Sequence, residues 1–130
     1  MDCPACATPT EPFAIPPDLR PYAPGEATAA TLCPACLTLS RVDDEPVGEP
    51  SFAAFDGFPD GEAGVALALF VGLLESLALY RAELAELGER VERAGVDPLL
   101  VLERLAADPG VDATIDLERR LPQVEQLLYE

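Results

Sequence analysis

The tetrapeptide Cys-Pro-Ala-Cys occurs twice in the chain, at residues 3–6 and 33–36, and these two pairs contain all four cysteines of the protein. Two thiolates on a tight turn can bind a metal ion from one side, and a second such turn completes a tetrahedral site. The proline fixes φ and removes one backbone donor, which leaves later amides free to point at sulfur. Two matched pairs with no cysteine left over predict a metal site with four ligands: Cys3, Cys6, Cys33 and Cys36.

Zinc is the predicted metal, because four thiolates are a common ligand set for structural zinc. An iron–thiolate site like that of rubredoxins uses the same ligands and is the alternative. Rubredoxins and zinc knuckles usually have glycine after the second cysteine of each pair, whereas this chain has Ala7 and Leu37 there. This difference leaves the turn conformation open at the level of sequence.

Two other uses of paired cysteines fit the sequence less well. Two disulfides would suit a small secreted protein, but no signal peptide precedes Cys3, and we therefore expect a cytoplasmic protein. A thioredoxin-like redox pair needs a strand before it and a helix after it. Cys3 has almost no chain before it, and no helical pattern follows Cys33. The pattern therefore favours a metal site.

The composition is strongly acidic, with 24 Asp and Glu against 8 basic residues and a formal net charge of −16. All basic residues are arginine, and lysine, histidine and tryptophan are missing. This composition is typical of proteins from salt-loving archaea, where screening by salt lowers self-repulsion and charge maintains solubility. In such an organism, net charge alone does not exclude nucleic-acid binding.

The missing side chains argue against catalysis. Without histidine the chain lacks a side chain whose unperturbed pKa lies near neutrality, and without lysine it has no Schiff-base nucleophile. The common hydrolytic triads are therefore excluded. We expect the carboxylates to be solvated surface groups in nearly every case, and the protein not to be an enzyme.

Residues 1–42 carry both cysteine pairs and are predicted to form a zinc ribbon. Short apolar stretches predict three β-strands, at residues 12–16, 28–32 and 37–42. The apolar residues of this segment are too few to fold alone. Metal-binding energy would therefore be folding energy.

Residues 43–59 are predicted to be an acidic and aromatic linker. The first part is rich in acids and closed by proline. Phe52, Phe55 and Phe58 then follow at every third position. We expect this aromatic segment to pack on the core, and the alternative is an exposed aromatic binding strip.

Residues 60–130 are predicted to form an antiparallel three-helix bundle with one long helix. Asp60 is the expected N-cap of the long helix, which should end near Ala94. Its apolar residues recur at alternating spacings of four and three from Ala66 to Val91. Gly95 predicts a Schellman-type end.

Two shorter helices are expected after the long one. Asp97-Pro98 is an N-cap followed by proline, and it predicts a helix to about Ala107. A last helix should begin at Thr114 or Asp116, with Pro122 kinking or restarting it. The predicted fold class is therefore α+β and mostly α, with the ribbon preceding the bundle.

The apolar first half of the long helix suggests two further interpretations. A membrane span needs about 20 apolar residues. The run from Ala63 to Leu74 is shorter, and Glu75 would be costly in a membrane, so we expect a buried core helix and no membrane. The spacing also suits a coiled-coil homodimer through the long helix, but few charges flank the apolar stripe. An intramolecular bundle is the first interpretation and the homodimer the second.

Several segments of the chain resemble a family of small haloarchaeal proteins of unknown function. They are Met-Asp-Cys-Pro-x-Cys (1–6), Pro-Pro-Asp-Leu-Arg-x-Tyr (16–22), Leu-Cys-x-x-Cys-Leu (32–37) and the segments 73–81, 95–97, 103–109 and 116–120. The resemblance covers most of the chain. It implies a lineage and a zinc site, with no catalytic residues to carry over.

The sequence thus predicts a small zinc-binding, non-catalytic protein that contacts other proteins as an adaptor or regulatory module. A zinc-ribbon factor associated with nucleic acid is one alternative, but residues 1–50 hold two arginines against eight acids. No basic strip is available there to contact phosphates. A rubredoxin-like iron electron carrier is the other alternative, and a redox or metal-release switch would require exposed thiolates.

Overall fold

The computed structural model describes residues 2–44, 46, 48–55 and 57–129. Met1 and Glu130, at the ends of the predicted ribbon and bundle, lie outside the described residues, as do Glu45, Val47 and Asp56 of the predicted linker. Three β-strands precede four α-helices: β1 Pro12–Ala14, β2 Ala29–Leu32, β3 Leu39–Val42, α1 Gly61–Leu73, α2 Arg81–Arg93, α3 Pro98–Ala107 and α4 Leu117–Tyr129. Short 3₁₀ helices occupy Pro17–Tyr22, Pro24–Glu26 and Leu74–Ser76. The fold is α+β and about half helical.

The three strands form one antiparallel sheet in the order β1-β2-β3. Phe13 lies opposite Ala30, which in turn lies opposite Arg41. The central strand β2 is buried at every position and pairs with a neighbour on each edge. All three predicted strands are confirmed, and β3 begins two residues later than expected because residues 37 and 38 belong to the second cysteine turn.

Helix α1 lies at the centre of the molecule. Every residue from Gly64 to Val71 is buried. The helix packs against β3 and against α2, so it needs apolar side chains on all its faces. This position explains the apolar run in the sequence. Among the described residues, no helix combines the length and apolar character that a membrane crossing requires.

The predicted long helix is wrong, because the chain forms α1 and α2 and folds back between them. A Cβ built on Gly88 would lie 3.5 Å from Cε2 of Phe70. In one continuous helix these two residues would be about 27 Å apart. The apolar stripe that suggested one helix is instead divided between two helices that pack together. The three-helix bundle is corrected accordingly: the part of the chain that the structure describes contains four α-helices.

The predicted signals at the later helix ends are confirmed. Gly95 has a φ of 87°, and Val96 N donates to Val91 O at 3.3 Å, which is the Schellman arrangement. The Asp97 Oδ1 atom accepts hydrogen bonds from the amides of Leu99 at 3.0 Å and Leu100 at 3.2 Å. These two ends therefore follow local sequence rules.

Two further predicted helix starts are found, but only one of them is capped by its aspartate. Asp60 precedes α1 but makes no capping hydrogen bond; its Oδ1 atom accepts from Phe52 N at 2.7 Å. Asp116 Oδ1 accepts from Arg119 N at 3.1 Å and thus caps α4, which continues through Pro122. The side chain of Asp60 holds the aromatic segment instead of the helix.

The aromatic segment packs between the sheet and the helices. Phe52 and Phe58 are buried, so an exposed strip is wrong for these two residues. The ring centroid of Phe52 lies 5.1 Å from that of Phe13 in β1 and 5.1 Å from that of Phe58. Residues of the sheet, this segment and all four helices belong to one hydrophobic cluster. The division into ribbon, linker and bundle stays a prediction.

Candidate metal centre

The first cysteine turn, residues 3–8, is closed by backbone hydrogen bonds at both ends. Ala7 N donates to Cys3 O at 2.8 Å, and Cys3 N donates to Thr8 O at 2.8 Å. Ala5 N points at the sulfur of Cys3 from 3.4 Å. The turn, here called the first knuckle, therefore presents its two sulfurs in the way predicted for a metal-binding turn.

The second cysteine turn, residues 33–38, repeats this arrangement and is called the second knuckle. Leu37 N donates to Cys33 O at 3.0 Å, and Cys33 N donates to Thr38 O at 3.1 Å. The amide that points at sulfur here is that of Cys36, which lies 3.5 Å from Cys33 Sγ. The sequence repeat is thus also a structural repeat.

Both knuckles contain one residue in the left-handed region. Ala7 has a φ of 63° and Leu37 a φ of 60°. These are the positions at which related metal knuckles usually carry glycine, because a side chain there costs roughly 1–2 kcal/mol. Ala7 and Leu37 thus adopt the left-handed conformation without glycine, which adds backbone strain at two positions.

The four sulfurs form one cluster, in which three of the Sγ–Sγ distances are close to those around a single tetrahedral ion. The Sγ–Sγ distances are 3.7 Å for Cys3–Cys36, 3.5 Å for Cys6–Cys33 and 3.6 Å for Cys6–Cys36. All four ligand atoms are within 4.8 Å of one another. Four sulfurs at about 2.3 Å from a central zinc or iron ion would be about 3.8 Å apart. A disulfide would need about 2.0 Å, and all four thiols are free.

Burial differs among the four thiols. Cys3, Cys33 and Cys36 are buried, whereas Cys6 is exposed. A metal ion at the centre would therefore be shielded by protein on most sides and approached by solvent next to Cys6.

The pKa values of two thiols are shifted in opposite directions. Hydrogen bonding to Thr8, whose Oγ1 lies 3.2 Å from Cys6 Sγ, lowers the pKa of the Cys6 thiol from 9.0 to about 6. Burial raises the pKa of the Cys33 thiol to about 12. A cation at the centre would supply the positive charge that four thiolates in one place require. The donor set therefore fits a bound metal ion.

The sequence contained a further signal that the tetrapeptide alone does not include. Thr38 Oγ1 lies 3.1 Å from Cys36 Sγ, just as Thr8 approaches Cys6 in the first knuckle. The repeated unit is therefore the hexapeptide Cys-Pro-Ala-Cys-x-Thr. The two threonines belong to the site through their hydrogen bonds to sulfur.

The loop between α3 and α4 is attached to the second knuckle. Asp112 N donates to Ala35 O at 2.6 Å, and Thr114 N donates to Cys36 O at 3.0 Å. These are backbone contacts, so no side-chain pattern in the sequence indicated them. They connect the candidate metal site directly to the helical part of the protein.

Comparison with known proteins gives one match. No curated protein and no solved structure shows significant similarity to the chain. A protein-family model described as a family of unknown function, DUF6276, matches residues 2–128. The match includes both knuckles and all four helices almost to the end of α4. The protein therefore belongs to the family of unknown function DUF6276.

Proposed function

We propose that the protein is a small non-catalytic module held together by one structural zinc ion and that it acts by contacting another protein. The ligands are the four cysteine sulfurs of the two knuckles. The observation that carries the proposal is that all four sulfurs lie within 4.8 Å of one another and that three of the Sγ–Sγ distances, 3.5–3.7 Å, are close to the edges of a zinc–thiolate tetrahedron. Four thiolates fill the coordination shell of zinc and leave no position for a reacting water.

The adaptor role is supported by what surrounds the site. The chain has no histidine or lysine, and its cysteines are used by the metal. Large apolar side chains nevertheless reach solvent in the helical part: Leu100 is 43% exposed and Tyr129 is 50% exposed. They lie near one another, because the hydroxyl of Tyr129 donates to Asp97, the N-cap of the helix that carries Leu100. Exposed apolar groups of this kind favour contact with another protein.

The first experiment is elemental analysis of the purified protein, with a visible spectrum, before and after treatment with a strong chelator. We expect one equivalent of zinc per chain and no colour. Removal of the ion should lower the midpoint temperature of thermal unfolding, and added zinc should restore it. The reason is that the free energy of metal binding contributes to the free energy of folding in such a site.

Two results would contradict the zinc proposal in different ways. One equivalent of iron with a reversible colour change would identify an electron carrier with the same four ligands. Absence of metal, together with four free thiols and an intact thermal transition, would show that the four cysteines do not bind a structural metal ion.

The adaptor role has its own test. Purified protein should capture the same partner reproducibly at high salt, and a Leu100→Ser/Tyr129→Ser variant should lose that partner while retaining its metal. The control is the variant Arg41→Ser/Ser51→Ala, because both residues are exposed and lie in the first half of the chain, away from α3 and α4 in sequence. Saturable binding of DNA or RNA that falls steeply with salt would instead support the nucleic-acid alternative.

A further inference from the structure

The connection between α1 and α2, residues 74–80, reverses the chain without the residues that usually end helices. Its sequence, Leu-Glu-Ser-Leu-Ala-Leu-Tyr, contains neither glycine nor proline and is rich in helix-forming residues. No residue from 73 to 81 has a positive φ. Leu74 and Leu77 have right-handed helical angles, and Tyr80 departs from them with φ −111° and ψ 30°. A small backbone change would thus make this segment helical.

The start of α2 at this connection also lacks a capping side chain. Tyr80 occupies the N-cap position of α2 and makes no side-chain capping hydrogen bond. By contrast, Asp97 caps α3 with two hydrogen bonds and Asp116 caps α4. The first amides of an α-helix have no partner within the helix unless a cap supplies one. A continuous helix would supply those partners to α2.

The inner side of the connection is not tightly packed. A cleft of about 450 Å³ lies between it and the second knuckle, with Leu73, Glu75 and Tyr80 on one side and Leu39 among the residues opposite. Leu79 is 73% exposed. The side chains of the connection that border this cleft therefore have space to move, although Arg120 of α4 donates a hydrogen bond to Glu75 O at 3.2 Å.

Two leucines of the connection are buried and hold the folded-back form. Leu74 and Leu77 have less than 4% of their surface exposed. Phe70, Leu77 and Leu84 are spaced by seven residues, so they would share one face of a straight helix. That face could be covered again only by another helix with the same apolar stripe. A second copy of α2 has that stripe.

We propose that residues 74–80 act as a hinge that straightens into one helix from Gly61 to Arg93, producing a domain-swapped dimer. In this dimer, α2, α3 and α4 of each chain pack on the sheet and α1 of the other. Both knuckles lie before the hinge, so each metal site stays within one chain. The contacts of Asp112 with Ala35 and of Arg90 with Asp18 form between chains instead of within one chain.

The test starts from metal-loaded protein that is unfolded and refolded at low and at high protein concentration. Size-exclusion chromatography with light scattering should show the monomer of 13.8 kDa and, at high concentration, a species of twice that mass with the same metal content per chain. Because exchange requires the hinge to open, the dimer should persist for hours after dilution. A dimer formed by surface contact would dissociate at once.

The hinge variant Ala78→Gly/Leu79→Gly is the first mutational test, since both positions are exposed and lie in the hinge. Four glycines then enter the two straightened helices of each dimer. We expect the dimer dissociation constant to rise on the order of 100- to 1,000-fold. The control Ala82→Gly/Ala85→Gly weakens α2 equally in both forms and should leave that constant unchanged.

The contact between Phe70 and Gly88 identifies the swap directly. In a dimer made from isotope-labelled and unlabelled chains, an isotope-filtered nuclear Overhauser effect should connect the Phe70 ring of one chain with Gly88 of the other. The proposal is overturned if the chain stays monomeric after refolding at every concentration. It is also overturned if the dimer keeps this contact within each chain or if the hinge variant dimerises as well as its control.

Discussion

The two knuckles are closed by the same backbone hydrogen bonds but have different surroundings. In the first knuckle, Cys6 and Ala7 are exposed. In the second, Cys36 and Leu37 are buried, and the loop before α4 binds its backbone. The comparison shows that the repeated sequence determines the turn, whereas tertiary contacts determine how strongly each turn is held. Substitutions at equivalent positions should therefore have unequal effects.

Replacing a ligand should give the largest difference. In Cys36→Ser, a buried thiolate is lost at the position equivalent to Cys6, and we expect loss of bound metal and of the cooperative thermal transition. A metal ion bound by the four sulfurs would contribute a free energy comparable with the whole stability, about 5–15 kcal/mol. In Cys6→Ser, water can reach the open position, so the variant should keep metal with lower affinity and a lower midpoint temperature. Metal content and circular dichroism against temperature measure both.

Equal metal loss in these two variants would contradict the unequal burial of the knuckles. Ser40→Ala, at a partly buried position in β3 away from the sulfurs, is the matched control and should retain one equivalent of metal.

Glycine substitutions at the two residues with left-handed backbone angles should change the stability in opposite directions. Ala7→Gly removes backbone strain at an exposed site, and we expect stabilisation by up to about 1 kcal/mol. Leu37→Gly relieves the same strain but removes a buried leucine side chain, a loss of about 2–5 kcal/mol. Its net effect should be destabilising by about 1–3 kcal/mol. Urea unfolding of the metal-loaded proteins gives both values, and the same sign for both would show that packing at Leu37 contributes little.

The threonines allow a subtler comparison of the two sulfurs. Thr38→Val removes the hydroxyl beside the buried Cys36 sulfur and should lower stability by about 1–2 kcal/mol, whereas Thr8→Val, beside the exposed Cys6, should cost less than about 1 kcal/mol. Valine preserves the shape of threonine, so the hydroxyl is the main change. Competition with a coloured chelator would report metal affinity in the same samples; a larger loss in Thr8→Val would reverse the ranking.

The smallest effect concerns the segment between the knuckles, which is attached to α2 by side chains instead of backbone groups. A hydrogen bond to Glu86 raises the pKa of Tyr22 from 10.0 to about 12. The folded state therefore holds the phenol proton more tightly. This contribution is complete below pH 10 and is lost as pH rises from 10 to 12. Between pH 10 and pH 12, the free energy of unfolding should therefore fall less in Tyr22→Phe than in the unchanged protein, by a difference of less than about 1 kcal/mol. Urea unfolding across this pH range measures the difference.

Tyr129→Phe is the control for this pH experiment, because the pKa of Tyr129 is also raised to about 12, with burial as the first cause. The two tyrosines titrate in the same window, and Tyr129 is far from the segment between the knuckles in sequence. An unchanged alkaline profile in Tyr22→Phe would show that its contact with Glu86 does not stabilise the fold.

Local signals made much of this fold predictable. The cysteine spacing indicated which sulfurs would meet, and Gly95 and Asp97 marked a helix end and a helix start where the structure has them. The break at residues 74–80 could not be predicted in this way, since it contains neither glycine nor proline, and the N-cap position of α2 is occupied by Tyr80, which makes no capping hydrogen bond. It exists because α1 and α2 bury their apolar faces on each other, which is a tertiary effect.

The candidate site likewise has features that the sequence predicts and features that it does not. All four cysteines could be identified from their spacing, and the threonines could have been found by extending the repeat by two residues. The attachment of Asp112 and Thr114 could not, because it uses backbone amides that every residue except proline possesses. The left-handed angles at Ala7 and Leu37 follow from the hydrogen bonds that close each turn, even without glycine.

The attachment of the α3–α4 loop to the second knuckle also has a consequence for biosynthesis. The loop and the knuckle are separated by more than half of the chain, so the ribosome releases both cysteine turns well before the residues that hold the second one. A nascent chain can capture its metal ion first, and the ordered turn then offers the carbonyl oxygens of Ala35 and Cys36 to the arriving loop. Docking of that loop is then among the last steps of folding, and the newly made protein completes its structure only after its C-terminal region has emerged.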